Sequence, residues 1–292
     1  MKKYMMMVLA VALTMTACEK ADIPDNSDEE PISVVDGKTK KFTFTVKGDF
    51  GTPTFTRGYL QSDGKDMTDL WVFDYVDGAM VQQLHQSNDD DDFGTPTMNL
   101  AYGVHHIYFV ASRGASPTLT TESHMITWGT VRDTFYKDYE VNVVSTSNGN
   151  RAVTLDRVAT KMTVTITDEV PTGCASLAIT PSLWYYGLDY VDGSAVSGQE
   201  KAVTVSVPNS YVGTSGELAV SLYGIGKATE YTTDIAIVAK DGENAVIGSA
   251  TIEDAPFKRN RGTEYSGYMF GSGGALACTL NTTWLDSETL TW

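Results

Sequence analysis

Residues 40–50 read KKFTFTVKGDF, and within them Phe42, Phe44 and Val46 alternate with Thr43, Thr45 and Lys47. Successive side chains of a strand point to opposite faces, so this period of two puts the three apolar residues on one face and the polar residues on the other. The stretch therefore reads as a half-buried strand. The same style recurs downstream. Residues 68–76 (TDLWVFDYV) are followed by Asp77-Gly78 and then by 79–85 (AMVQQLH). Asp-Gly between two such runs marks a hairpin, because both central residues of the turn need positive φ. Residues 104–111 (VHHIYFVA) form a continuous apolar run that fits a buried strand, and 139–144 and 151–156 read as further strands. Beyond the Ser147-Asn148-Gly149-Asn150 turn, Met162, Val164 and Ile166 alternate with threonines, and Val203, Val205 and Val207, then Leu218, Val220 and Leu222, repeat the period. Residues 234–239, 245–252, 263–270 and 276–284 complete the set; only 129–138 hints at a short helix. Many short strands with close turn signals predict an all-β chain of sandwiches or barrels rather than βαβ units.

A chain of 292 residues is long enough for two cores. The fresh alternation after residue 150 places the boundary near 150–157, with an N-terminal β-sandwich over 40–155 and a C-terminal one over 156–292. The words FDYVDG (73–78) and LDYVDG (188–193) recur. They record either a duplicated domain or a common turn after an aromatic strand.

The N-terminus is a targeting segment. Lys2 and Lys3 precede an apolar run, Met5 to Leu13, too short to span a bilayer as a mature helix. Met15-Thr16-Ala17-Cys18 follows, with small residues just before a cysteine. It resembles a bacterial lipobox, so residues 1–17 read as a lipoprotein signal peptide and Cys18 as the site of lipid attachment. The thiol is required because a thioether tethers the lipid. No later apolar run approaches spanning length, so the lipid is the expected link to the outer membrane. Residues 18–39 are acidic, carry Pro24 and Pro31, and have no periodicity; they read as a solvated tether. The formal net charge of −16 opposes phosphate backbones, which argues against nucleic acid as a partner.

No catalytic motif stands out, and no cofactor or metal is expected. His105 and His106 are adjacent on a strand, so they point to opposite faces and do not readily share an ion. There is no H-E-x-x-H, C-x-x-C or G-x-S-x-G. GIGKAT (224–229) has Ser221 where a phosphate loop needs glycine, and GSGG (271–274) lacks the third glycine of a dinucleotide fingerprint. Asp89 to Asp92 supply calcium-type oxygens, but consecutive carboxylates converge poorly and fit a solvated loop better. Asp63 and Asp66 are a weaker case. Cys174 and Cys278 are open to two readings, a disulfide or two buried thiols.

Several segments together resemble the fimbrillin-like family of type V pilus subunits. They are the lipobox, KKFTFTVKGDF (40–50), the loop TPTFTR ending at Arg57, DLWVFDYVDG (69–78), LAYGVHHIYFVAS (100–112), VTLDRVATKMTVTITD (153–168) and APFKRNRGTEYSGYMF (255–270). The likeness covers most of 40–285 and rests on order and spacing. It implies two β-sandwich domains of transthyretin-like Greek-key topology in a surface-exposed lipoprotein of the cell outer membrane. It also implies assembly by strand exchange. An arginine-specific protease would cut after Arg57, leaving a chain that begins at Gly58. The strand bearing Phe42, Phe44 and Val46 would be released, and another fimbrial subunit would add a strand in its place. Shaft, anchor and tip positions all remain open, as does a host ligand. The alternative is a monomeric surface lipoprotein that binds glycans through aromatic platforms, for which Trp71, Trp128, Trp184, Tyr185, Tyr186 and Trp284 are the candidates.

Overall fold

The computed structural model describes residues 37–48, 61–62, 65–216, 218–270 and 281–284. The described residues are all-β. The first half contributes β1 (Thr39–Gly48), β2 (Gln61–Ser62), β3 (Lys65–Asp66), β4 (Asp69–Val76), β5 (Ala79–Ser87), β6 (Thr97–Ala101), β7 (Gly103–Ser112), β8 (Ala115–Thr120), β9 (Met125–Thr130), β10 (Thr134–Val143) and β11 (Asn150–Arg157). The second half contributes β12 (Ala159–Ile166), β13 (Cys174–Pro181), β14 (Trp184–Asp189), β15 (Ala195–Gln199), β16 (Val203–Ser206), β17 (Leu218–Ile225), β18 (Tyr231–Asp241), β19 (Val246–Phe257), β20 (Arg261–Gly267) and β21 (Asn281–Trp284). The only helical pieces among the described residues are single 3-10 turns at Thr121–Ser123 and Asn209–Tyr211.

Strands of the first half join in the order β5-β4-β7-β10-β11-β1-β6. In a flat sheet β1 would lie three strands from β7, about 14 Å at the usual strand spacing. Instead the Phe44 and Phe109 rings are 5.3 Å apart. The sheet therefore folds over on itself, and the hinge is β11. Its residues Asn150–Leu155 pair with β1, while Asp156 and Arg157 pair with β10. The resulting sandwich closes over Phe42, Phe44, Val46, Leu70, Val72, Ile107, Phe109, Phe135 and Leu155.

The second half packs the sheet β17-β12-β20-β21 against β16-β13-β18-β19. Their shared core contains Met162, Val164, Ile166, Ile179, Trp184, Ile235, Ile237 and Phe257. A parallel pair recurs in each half: β1 with β11, and β12 with β20. The chain passes from the first set of sheets to the second between Arg157 and Ala159.

A fourth sheet, β15-β14-β9-β8, draws strands from both halves. Gly187, Leu188 and Asp189 of β14 pair with Thr127, Ile126 and Met125 of β9. Between this sheet and the outer side of β4 and β7 lies a third core of Trp71, Phe73, Tyr75, Tyr108, Val110, Ile126, Trp128, Leu188 and Tyr190. Thus β4 and β7 are covered on both faces, which is why 104–111 reads as a continuous apolar run instead of alternating.

The structure corrects one sequence reading. Residues 129–138 are not helical; they hold the end of β9 and the start of β10. Phe135 enters the first core and Tyr136 the third, the two-sided pattern of a strand.

Candidate functional site

The expected all-β sandwich puts β1 at the centre of interest. It is not an edge strand. Thr39 to Thr43 run antiparallel to β6, and Thr43 to Gly48 run parallel to β11. Where β6 ends, loop carbonyls continue its row. The Phe44 N–H donates to Pro96 O at 3.0 Å and the Val46 N–H to Gly94 O at 2.9 Å. On the other side the Thr43 N–H donates to Gly149 O at 2.7 Å. Both edges of β1 are thereby engaged, as buried backbone groups require.

Phe42, Phe44 and Val46 are each 0 % exposed. The Phe44 ring contacts Phe42 at 6.1 Å and meets Tyr139 edge-on at 6.0 Å, and the Arg151 guanidinium lies 5.4 Å from the Phe42 ring. Fully burying a large apolar side chain stabilises by roughly 1.5–3 kcal/mol. The groove around β1 is thus a row of apolar pockets at every second residue, flanked by two rows of hydrogen-bonding backbone. Chemically it holds an extended peptide. Arg57 and Gly58 follow β1 in sequence and lie outside the described residues, as do Cys18, the signal peptide, Asp63, the GSGG stretch and Cys278.

The histidines separate as their strand positions require. His105 is buried and His106 is not. His105 Nδ1 lies 2.6 Å from Asp74 Oδ1 and Nε2 lies 2.9 Å from Ala101 O. Both partners are acceptors, so a ring that donates from both nitrogens, the imidazolium, satisfies them. Burial opposes that charge, but the hydrogen bond and charge of Asp74 and the Ala101 carbonyl outweigh it and hold the pKa above its ordinary value. His106 sits beside Asp138 and Glu140 at 3.3 and 3.6 Å on the outside. Sequence reasoning missed the His105–Asp74 pair, because the two residues lie 31 positions apart on different strands.

Asp89 to Asp92 form the turn after β5. Asp90 accepts the Ser87 N–H at 2.7 Å, and the Asp92 carbonyl accepts from Gln86 Nε2 at 3.0 Å. Among the described residues no group of three or more His, Cys, Asp or Glu is placed to hold a metal ion. Cys174 is a buried thiol whose pKa is pushed up by that burial. In GIGKAT, Gly224 and Ile225 belong to β17, and a Cβ on Gly226 would lie 2.5 Å from the Arg259 Cα, so that segment is packed against backbone.

The aromatic candidates divide as well. Trp71, Trp128 and Trp184 are buried. In WYYG, Trp184 enters the second-half core, while Tyr185 and Tyr186 pack against the third. Lys201 Nζ lies 4.2 Å from the centre of the Tyr186 ring. The two copies of the repeated word meet each other. Phe73 stacks on Tyr190 at 3.9 Å, and the Tyr75 and Tyr190 hydroxyls are 3.3 Å apart. Among the described residues no helix is long and apolar enough to cross a membrane.

No protein-family model matches the chain, and no curated protein matches it. Solved structures do. A candidate adhesin from Bacteroides ovatus is 14 % identical, with a TM-score of 0.51 over 82 % of this chain and 88 % of that one. The chain shares its fold. A candidate polysaccharide-binding protein from Bacteroides thetaiotaomicron is 9 % identical, with a TM-score of 0.51 over 84 % and 97 %. A fimbrial assembly protein from Parabacteroides distasonis is 9 % identical, with a TM-score of 0.47 over 84 % and 99 %. The all-β sandwich architecture expected from the sequence is found in the chain, and its fold is shared with the two solved structures that match at a TM-score of 0.51.

Proposed function

We propose that the chain is a structural subunit or anchor of a cell-surface fimbrium of the fimbrillin-like family, exported as a lipoprotein through Cys18 and serving adhesion. The observation that carries the reading is the setting of β1. It is an inner strand with three fully buried apolar side chains, and its only covalent link to the later strands runs through the segment containing Arg57. A cut there would convert it into a separate peptide that another subunit's strand can replace. The sequence resemblance supports the same reading, as does the fold shared with a candidate adhesin. Fractionation of cells making the full chain tests it. The protein should label with palmitate and appear in sheared surface filaments, and the Cys18→Ala protein should lose both. Palmitate labelling that survives this substitution would overturn the lipid assignment, and filaments free of the protein would overturn the fimbrial one.

Glycan binding is the second reading, favoured by the fold shared with a candidate polysaccharide-binding protein. The buried tryptophans cannot stack on sugar, so this reading would fall to exposed aromatics such as Tyr268, which is 58 % exposed. Polysaccharide binding by a protein that remains monomeric would favour it.

A further inference from the structure

Asn148-Gly149 is the single Asn-Gly pair in the sequence, and it immediately precedes the strand that holds β1. We infer that Asn148 is a site of spontaneous, age-dependent conversion to aspartyl and isoaspartyl residues, and that this conversion loosens β1. The inference does not depend on whether β1 is exchanged between subunits.

Three observations carry it. The Asn148 side chain is exposed, and its Oδ1 accepts the Asn150 N–H at 3.0 Å. That bond folds the carboxamide over the Gly149 peptide and polarises its carbonyl. Gly149 has no Cβ to shield its nitrogen, and the fold requires that: a Cβ there would lie 2.4 Å from Lys41 O. No hydrogen bond from the Gly149 N–H is found among the described residues.

The chemistry needs only water. The Gly149 nitrogen loses its proton to solvent and attacks Asn148 Cγ. A C–N bond forms, the carboxamide nitrogen departs as ammonia, and a five-membered succinimide results. Water then adds to one imide carbonyl and breaks that C–N bond. Opening one way gives aspartate; opening the other moves the main chain onto the side-chain carbon and adds a methylene to the backbone. Gly149 O is the acceptor for the Thr43 N–H at 2.7 Å, so the added methylene displaces the anchor of β1.

The full chain is aged in mildly alkaline buffer beside a free peptide of residues 145–152. Both are followed by peptide mass spectrometry and by labelling with an isoaspartyl-specific methyltransferase. Asn148 should convert before any other asparagine, within about tenfold of the peptide's rate, a barrier difference of about 1.4 kcal/mol or less. The Thr43 amide should exchange hydrogen faster in the converted protein. The Asn148→Ser protein keeps an oxygen acceptor without a carboxamide and should age unchanged at this position. An intact Asn148 when the peptide is half converted, or prior conversion elsewhere, overturns the site. Conversion with unchanged Thr43 exchange overturns its link to β1.

Discussion

His105 and Asp74 are 1 % and 2 % exposed at their side chains and 2.6 Å apart. Removing one member of a buried pair leaves the other charged group unsatisfied and costs about 3–5 kcal/mol. Asp74→Asn should lower the unfolding free energy by that order in urea titrations. The pair also sets a pH dependence. The folded pKa of His105 is raised, so its stabilisation is complete below the ordinary value of 6.5 and is lost as pH rises through the folded value. The urea midpoint should fall over that range, and the Asp74→Asn protein should show a flatter profile. In β1, Phe44→Ala should cost about 3–5 kcal/mol, as a buried ring leaves a cavity. The burial of Phe44 was legible in the alternation of residues 42–46. The burial of His105 was not, because a period of two separates His105 from His106 without saying which faces the core. That choice depends on Asp74, contributed by a strand distant in sequence.

At the scale of elements, the strongly periodic strands were legible, even the four-residue β16, and the short ones without a period were not. The strands β8, β9 and β14 have six residues and β15 has five. None shows a clear period, and Pro117 and Gly187 interrupt two of them. They are joined into one sheet by the pairing of β9 with β14 across the halves of the chain, which no local pattern encodes. The Asp-Gly turns show the same limit. Asp77 and Gly78 both take positive φ, 50° and 75°, as a tight hairpin needs. In the second copy only the glycine does, at 70°, and a Cβ there would lie 2.5 Å from the Tyr136 ring. The second Asp-Gly therefore serves a packed corner rather than a tight hairpin. That corner carries the Tyr190 ring onto Phe73. A double-mutant cycle of Phe73→Leu and Tyr190→Leu should give a coupling of about 0.5–1.5 kcal/mol. A coupling near zero would mean that the Phe73–Tyr190 stack adds nothing beyond the area it buries.

For the whole molecule, the proposed domain boundary at 155/156 falls inside β11, cutting off Asp156 and Arg157, which pair with β10, and it would sever β14 from β9. A fragment of residues 156–292 should therefore unfold at a lower temperature than the full chain, with Leu188 and Tyr190 deprived of their partners in the third core. A strand hydrogen-bonded on both sides and filling three pockets does not leave its groove readily while covalently tethered. Under the proposed function, a cut in the following segment would let a competing strand take over pocket by pocket. The most direct measurement is brief digestion of the purified protein with an arginine-specific protease, with N-terminal sequencing and gel filtration of the products. The account predicts that the first cut falls after Arg57, that the major product begins at Gly58, and that oligomers then form which the Arg57→Ala protein does not make. A first cut at Arg113, Arg132 or Arg151, or equal oligomer formation by the Arg57→Ala protein, would contradict it.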